Sequence, residues 1–215
     1  MKREVGVGPH PQPWPNDARL DPELLVSGDQ RNVADRYRYW SLDAIVADLD
    51  TRRHDFSVAV ENIESDLNIG SIVRSANAFL ARDVHIVGRR RWNKRGAMVT
   101  DRYQHVVHDE TPGDLARWAT NEHLVIIGID NVEGSVPLET LDLPRRCVLF
   151  FGQEGPGLSD EAQSICSSIA HITQFGSTRS INIAAAAAVA MHTWVRQHAT
   201  GSVGETEPDQ SGLTS

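Results

Sequence analysis

The sequence predicts an α/β fold, a parallel sheet flanked by helices behind a small helical N-terminal extension. Two runs point to it first: His123-Leu124-Val125-Ile126-Ile127-Gly128-Ile129 and Cys147-Val148-Leu149-Phe150-Phe151-Gly152 are continuously apolar, as strands buried on both faces are. From Phe56 onward, strand-like and helix-like patterns alternate, which is the signature of a parallel sheet with crossover helices. At 215 residues and 40% hydrophobic composition, the chain suits one domain with extensions.

Residues 1 to about 19 carry Pro9, Pro11, Pro13 and Pro15 around Trp14, so this stretch should lack regular structure. Residues 21–52 read as helical, with Ser41 able to cap the segment that starts at Leu42. Residues 56–62 are β-branched and apolar enough for a strand. Asp66 or Asn68 then caps a helix whose apolar positions Ile69, Ile72, Val73, Ala76 and Phe79 share one face. A short strand covers 84–88, and Thr111-Pro112 opens a helix to about Asn121, with the proline in its first turn. A third apolar strand spans 169–173. The helix from Ile183 follows, with five successive alanines that favour helix and let it pack close to backbone. Beyond Ala199 the chain is polar and acidic and reads as disordered. The expected organisation is an extension over 1–55, an α/β domain over 56–199 and a tail over 200–215.

The net charge of -8 argues against blanket affinity for nucleic acid, but the charge is uneven. Between Arg82 and Arg102 seven Lys and Arg residues face only Asp83 and Asp101. Arg89, Arg90, Arg91, Lys94 and Arg95, with Trp92 and Tyr103 nearby, form a candidate phosphate-binding patch, against the alternative of a solvated charged loop. Cys147 and Cys166 show no CxxC spacing and read as small buried hydrophobes. His105-x-x-His108 has a spacing seen in metal sites, but no further ligand is near and the pair reads as solvated, so no metal is expected. No apolar run is long enough to span a bilayer, and the first residues lack the apolar stretch of a signal peptide; a cytoplasmic protein is expected.

Ligands of open α/β sheets bind beyond the strand C-termini. There the sequence places Gly152-Gln153-Glu154-Gly155-Pro156-Gly157-Leu158-Ser159, with glycines that permit close backbone approach and one projecting acid. After the third strand, Ser180 and Asn182 fall at or near a helix N-cap, where free amides are available. Arg74, on the helix after the first strand, reads by itself as a rim arginine paired with Glu61, Glu64 or Asp66.

Three segments in order, Asn68-x-Gly70-x-Ile72-x-Arg74-Ser75-Ala76, Gly152-x-Glu154-Gly155-x-Gly157-Leu158-Ser159 and Gly176-x-x-x-Ser180-Ile181-Asn182, resemble the signatures of the SpoU (TrmH-type) RNA 2'-O-methyltransferases of the SPOUT class. The resemblance covers about residues 56 to 197. It implies a parallel sheet with a C-terminal trefoil knot, an exception to the rule against threaded chains. It also implies homodimers that bind S-adenosylmethionine and methylate tRNA or rRNA. Carried onto this chain, it makes Arg74 the catalytic arginine and Asn68, Glu154, Ser180 and Asn182 active-site residues. It places the cofactor against Gly128, Ile129, Gly152, Glu154, Gly155, Ile172, Gln174, Ser180 and Ile181. RNA would meet Arg74, Arg89, Arg90, Arg91, Lys94, Arg95 and Arg179. The chain departs from the family where Thr173-Gln174 replaces a Pro-Met pair and Arg179 precedes Ser180. A non-catalytic RNA-binding protein with the same fold is the alternative, and a dehydrogenase is disfavoured because no GxGxxG follows the first strand.

Overall fold

The structure is a computed structural model that describes residues 6–61, 65–88 and 92–199. The chain divides into two compact units, 1–53 and 54–215. Arg89, Arg90, Arg91, Glu64 and the tail 200–215 lie outside the described residues, and so does the side chain of Arg95.

In the first unit, α1 (Pro22–Ser27) and α2 (Leu42–Asp50) flank a 3-10 turn at Asp35–Tyr37. Ser41 caps α2 as predicted, accepting the Ala44 N–H at 3.2 Å. The single helical stretch expected over 21–52 is interrupted. Gly28 ends α1 with φ 89°, and the segment after it folds around Asp29. That buried carboxylate accepts the Arg31 N–H (3.0 Å), the Arg31 guanidinium (2.7 Å) and the Tyr39 N–H (3.0 Å). A polar centre this well supplied outcompetes helix continuation, a tertiary effect that periodicity does not record. Val7 bridges Asp29, His10 N–H donates to Leu25 O at 2.9 Å and the Tyr39 hydroxyl donates to Gly8 O at 2.6 Å, so the proline-rich stretch is anchored along an otherwise irregular course.

The second unit is built on a seven-stranded sheet of β1 (Phe56–Glu61), β2 (Val84–Val87), β3 (Val106–Asp109), β4 (Val125–Ile129), β5 (Val136–Pro137), β6 (Cys147–Phe151) and β7 (Ser168–His171). The spatial order is β3-β2-β1-β6-β4-β7-β5, and every pairing is parallel. The helices are α3 (Asp66–Ala78), α4 (Pro112–Asn121), α5 (Asp160–Ser164) and α6 (Ile183–His198).

Strand alternation sorts the core into two layers. Phe56, Val58 and Val60 of β1 and Cys147, Leu149 and Phe151 of β6 face α3 and α6, meeting Ile69, Ile72, Val73, Ala187, Ala190 and Met191. Ala59, Val148 and Phe150 face the other way, against Leu115 and Ala119 of α4 and Ala162 of α5. Trp194 closes the first layer, its ring 4.5 Å from that of Phe56 and its Nε1–H bonded to Pro144 O at 3.2 Å. Both cysteines are packing residues as expected, and burial pushes each thiol up to about 12.

Three expectations need correction. The α3 N-cap is Ser65, not Asp66 or Asn68, so the Asn68 side chain is free for longer-range contacts. His105 and His108 are not a solvated pair: His105 is exposed, but His108 lies on β3 with Nε2 shielded from solvent. The Arg82–Arg102 segment is not uniformly free charge. Arg82 pairs with Glu122 at 2.6 Å, Lys94 with Asp101 at 3.4 Å, and Trp92 packs on the core. The short elements β3, β5 and α5 had no signal in the sequence pattern, because each is too brief to show a period.

Burial opposes ionisation of Asp29, but its bonds to the Arg31 guanidinium and to the Arg31 and Tyr39 amides hold its carboxyl down at about 2. A depressed carboxyl stabilises the fold above its unfolded value of about 4, and that contribution disappears as pH falls toward 2. Amide exchange at Tyr39 should therefore accelerate over this interval in the wild type, whereas Asp29→Asn should show fast exchange at neutral pH already.

Candidate active site

A cleft of about 550 Å³ opens beyond the C-terminal ends of β4, β6 and β7, a size suited to a nucleoside-scale ligand. Three chain segments line it: residues 129–132 after β4, 151–157 after β6, and 172–186 from β7 into α6. The floor is apolar, from Ile129, Phe151, Ile172, Ile183 and Ala186. Asp130, Asn131, Glu154 and Asn182 supply polar groups around it.

The turn after β6 is a tight reversal. Gln153 N–H donates to Gly157 O at 2.8 Å, and Gly157 N–H returns a bond to Gln153 O at 3.1 Å. Glycine is required at its two ends for different reasons. A Cβ on Gly152 would fall within the backbone of Gly157 and Leu158, while Gly157 takes φ +80° with the Asp130 carboxylate against it. Gly155, at φ +95°, has open space where a Cβ would project and leaves the backbone accessible.

Three acids hold this turn. Asp130 Oδ2 accepts the Leu158 N–H at 2.7 Å. Glu61, buried at the end of β1, accepts the Ser159 N–H at 3.0 Å and the Ser159 hydroxyl at 2.6 Å, while Ser159 Oγ caps α5 by accepting from Ala162 N–H at 3.1 Å. Glu154 itself accepts from the Asn68 side-chain amide and from the Ser65 N–H at 3.3 Å. Asn68 thus spans two segments, since its Oδ1 accepts from the Asn182 amide at 3.1 Å. Asn182 is the α6 N-cap, accepting from Ala184 N–H at 2.9 Å and Ala185 N–H at 3.3 Å.

The structure therefore joins Asn68, Glu154 and Asn182 in one network. Ile129, Gly152, Gly155, Ile172, Gln174, Ser180, Ile181 and Arg179 line the cleft. Ser180 is exposed two residues before the cap. Gly128 does not reach the lining; it lies inside β4, where a Cβ would press on Leu158 and Cys166. Arg74 also stands outside the lining, exposed on α3, and no bond joins it to Glu61 or Asp66. Glu61 instead binds Ser159. Lys94 is not among the described residues that line the cleft, and Arg89, Arg90, Arg91 and the Arg95 side chain lie outside the described residues. Sequence reasoning missed Asp130 and the role of Glu61. Each is an acid directly at or after the end of an apolar strand, and that position is the signal that could have found them.

The SpoU rRNA Methylase family model matches residues 55–192. A tRNA (guanosine(18)-2'-O)-methyltransferase of Escherichia coli (strain K12) is 25% identical over 149 residues, covering 68% of this chain and 65% of that protein. A 23S rRNA (uridine(2479)-2'-O)-methyltransferase of Streptomyces viridochromogenes is 28% identical over 203 residues, 87% of this chain and 69% of that protein. The chain thus spans just under two thirds of the length of the Escherichia coli relative. Among solved structures, the SpoU methyltransferase AviRb from Streptomyces viridochromogenes in complex with the cofactor AdoMet superposes with TM-score 0.63 at 28% identity, over 70% of this chain and 60% of that one. The A. aeolicus TrmH/SpoU tRNA modifying enzyme gives TM-score 0.65 at 21% identity over 73% and 81%, a likeness of fold.

Removing the Glu61 carboxylate should strand two part-buried donors of Ser159, so Glu61→Ala should cost about 1–3 kcal/mol of stability. Glu61→Gln keeps one acceptor oxygen and should cost less. Thermal unfolding of the two variants checks the order, and equal losses would mean that volume rather than hydrogen bonding sets the effect.

Proposed function

The chain belongs to the SpoU rRNA Methylase family, and from that membership and the construction of its cleft we propose that it is an S-adenosylmethionine-dependent RNA ribose 2'-O-methyltransferase acting on tRNA or rRNA. The observation that carries this reading is the Glu154–Asn68–Asn182 network, which ties the three signature segments together over one cleft.

The residues present fit the cofactor. Apolar Ile129, Ile172 and Ile183 suit an adenine ring, the accessible backbone at Gly155 allows close approach, and the carboxylates of Asp130 and Glu154 suit a cationic ligand. Bound there, S-adenosylmethionine supplies an electrophilic methyl group on a sulfonium centre. Ile129, Gly152, Glu154, Gly155, Ile172, Gln174, Ser180 and Ile181 hold it, and the cleft contributes alignment, a large share of catalysis for an in-line transfer. Gly128 acts indirectly, by keeping β4 close to Leu158.

Arg74 pairs with RNA phosphate and orients the ribose 2'-hydroxyl from the cleft rim. A guanidinium carries no acceptor, so it steers the hydroxyl rather than taking its proton alone. Asn68 and Glu154 position the ribose, and Asn182 orders the start of α6. Arg179, with Lys94, Arg95 and the Arg89, Arg90 and Arg91 segment, binds the RNA backbone.

The same reading includes a trefoil knot in the C-terminal part, supported by three loops from β4, β6 and β7 meeting at one cleft. It includes a homodimer as well, supported by the exposed apolar Leu67 and Val189 on the mutually packed α3 and α6. Residues 1–55 act as the N-terminal extension, 56–199 as the catalytic domain, and 200–215 as a tail. The site of action is the cytoplasm, where tRNA and rRNA are found. Among the described residues no helix is long and apolar enough to cross a membrane.

Two measurements test this. Calorimetry should show binding of S-adenosylmethionine and of its demethylated product; no binding would favour a non-catalytic RNA-binding protein. Arg74→Lys should keep cofactor affinity but lose methyl transfer by about tenfold or more, because a point charge does not replace a planar fork. Near-normal turnover in that variant would sink the assigned role. Mass-spectrometric mapping of ribose methylation in RNA from cells with and without the gene then names the nucleotide.

A further inference from the structure

Phe175 is 96% exposed, the highest value among the exposed large apolar side chains of the described residues. The loop that presents it is closed on itself. Gln174 Nε2–H donates to Arg179 O at 3.4 Å, and Asn131 Nδ2–H reaches the same carbonyl at 3.4 Å from the segment after β4. Asn182 fixes the far end as the α6 cap. The base of the loop, at Ile172, Gln174, Arg179 and Ser180, lines the cleft, so Phe175 sits on a tip directly outside it. Arg179 is exposed too, with no ion-pair partner among the described residues. An exposed aromatic ring and an exposed guanidinium carried on one short loop, at the mouth of a nucleoside-sized cleft, are the two groups used for unstacked bases.

We propose that Phe175 and Arg179 form a stacking subsite for the unpaired base of the nucleotide whose ribose enters the cleft. This rests on the methyltransferase reading and extends it to substrate form. A ribose can enter the cleft only if its nucleotide leaves the helical stack, and the Phe175 ring replaces the stacking that is lost. Arg179 meets the adjoining phosphate or lies along the base edge. The subsite takes bases without regard to identity, because every base has a π-face, and it selects nucleotides in loops and bulges over paired ones. A second copy of the chain fits this surface less well. A two-fold contact centred on Phe175 would bring two Arg179 guanidinium groups onto the same patch.

The test uses the full chain, with S-adenosylmethionine and total tRNA and rRNA from cells lacking the gene, together with a single-stranded RNA oligonucleotide containing 2-aminopurine. Phe175→Ala and Phe175→Leu should each raise the KM for RNA and the Kd for the oligonucleotide about tenfold, with little change in kcat. Phe175→Tyr should restore both, and 2-aminopurine should be quenched by wild type and Phe175→Tyr only. Cofactor affinity by calorimetry and sedimentation behaviour should match wild type in all three variants. Wild-type RNA affinity in Phe175→Leu would overturn the proposal, since an apolar side chain without a π-face would then suffice. A changed oligomeric state in Phe175→Ala would also overturn it, in favour of a self-interface. If the wild type neither bound S-adenosylmethionine nor methylated any RNA, the methyltransferase reading itself would fail. The oligonucleotide arm would still report on stacking by itself.

Discussion

The site depends on the pinning of one reversal, Gly152 to Ser159, from three directions. Asp130 takes the Leu158 amide, Glu61 takes the Ser159 amide and hydroxyl, and Asn68 takes Glu154. The acids come from the ends of β1 and β4 and from the turn itself, and Asn68 comes from α3. A displacement of any one of these elements would leave at least one donor or acceptor unpaired in a poorly solvated place, which is costly. The turn is therefore tied to both β1 and β4 as well as to α3. A backbone cradle is useful for binding only when it is preorganised in this way.

The parallel sheet makes such convergence possible. With β1, β6, β4 and β7 adjacent and codirectional, their C-terminal ends open on one edge, and loops far apart in sequence become neighbours. The alanine-rich start of α6 contributes by being thin. Ala187 and Ala190 are buried against the sheet layer, so the helix N-terminus and its Asn182 cap lie close enough for the Asn182 amide to reach Asn68. Larger side chains there would lift the cap away from the network and overpack the layer.

The large elements were legible because their signals are local. Continuous apolar runs gave β4 and β6, a proline in a first turn gave α4, and apolar spacing gave α3. The turn that carries Glu154 and the Asn182 cap were legible as well, because glycine-rich turns and caps have their own chemistry. The Asp29 hub, the true cap of α3 and the partner of Glu61 were not. The Asp29 hub and the Glu61–Ser159 pair depend on which groups tertiary packing brings together, and a buried acid reads in a sequence like a solvated one; Ser65 starts α3 without a side-chain cap bond, so it leaves no capping signal. In the basic segment a count of charge does not show pairing: Arg82 is committed to Glu122 and Lys94 lies 3.4 Å from Asp101.

Arg74 illustrates how position constrains chemistry. Six residues beyond Asn68, it lies about 9 Å farther along the α3 axis. It is exposed, and it stays outside the cleft lining. From there it reaches a ligand that projects out of the cleft more readily than one buried within it. The carboxylate oxygens inside the cleft each already take an N–H: the Glu154 oxygens from Ser65 and Asn68, and the Asp130 oxygens from the Asn131 and Leu158 amides. A guanidinium offers no lone pair. If Arg74 holds an RNA phosphate, as proposed, that phosphate or water beside it supplies the acceptor for the ribose proton from outside the protein. This also reconciles a chain of net charge -8 with a polyanionic substrate. Long-range repulsion disfavours indiscriminate binding, and on the proposed function the exposed Arg74 and Arg179 leave RNA a short-range foothold.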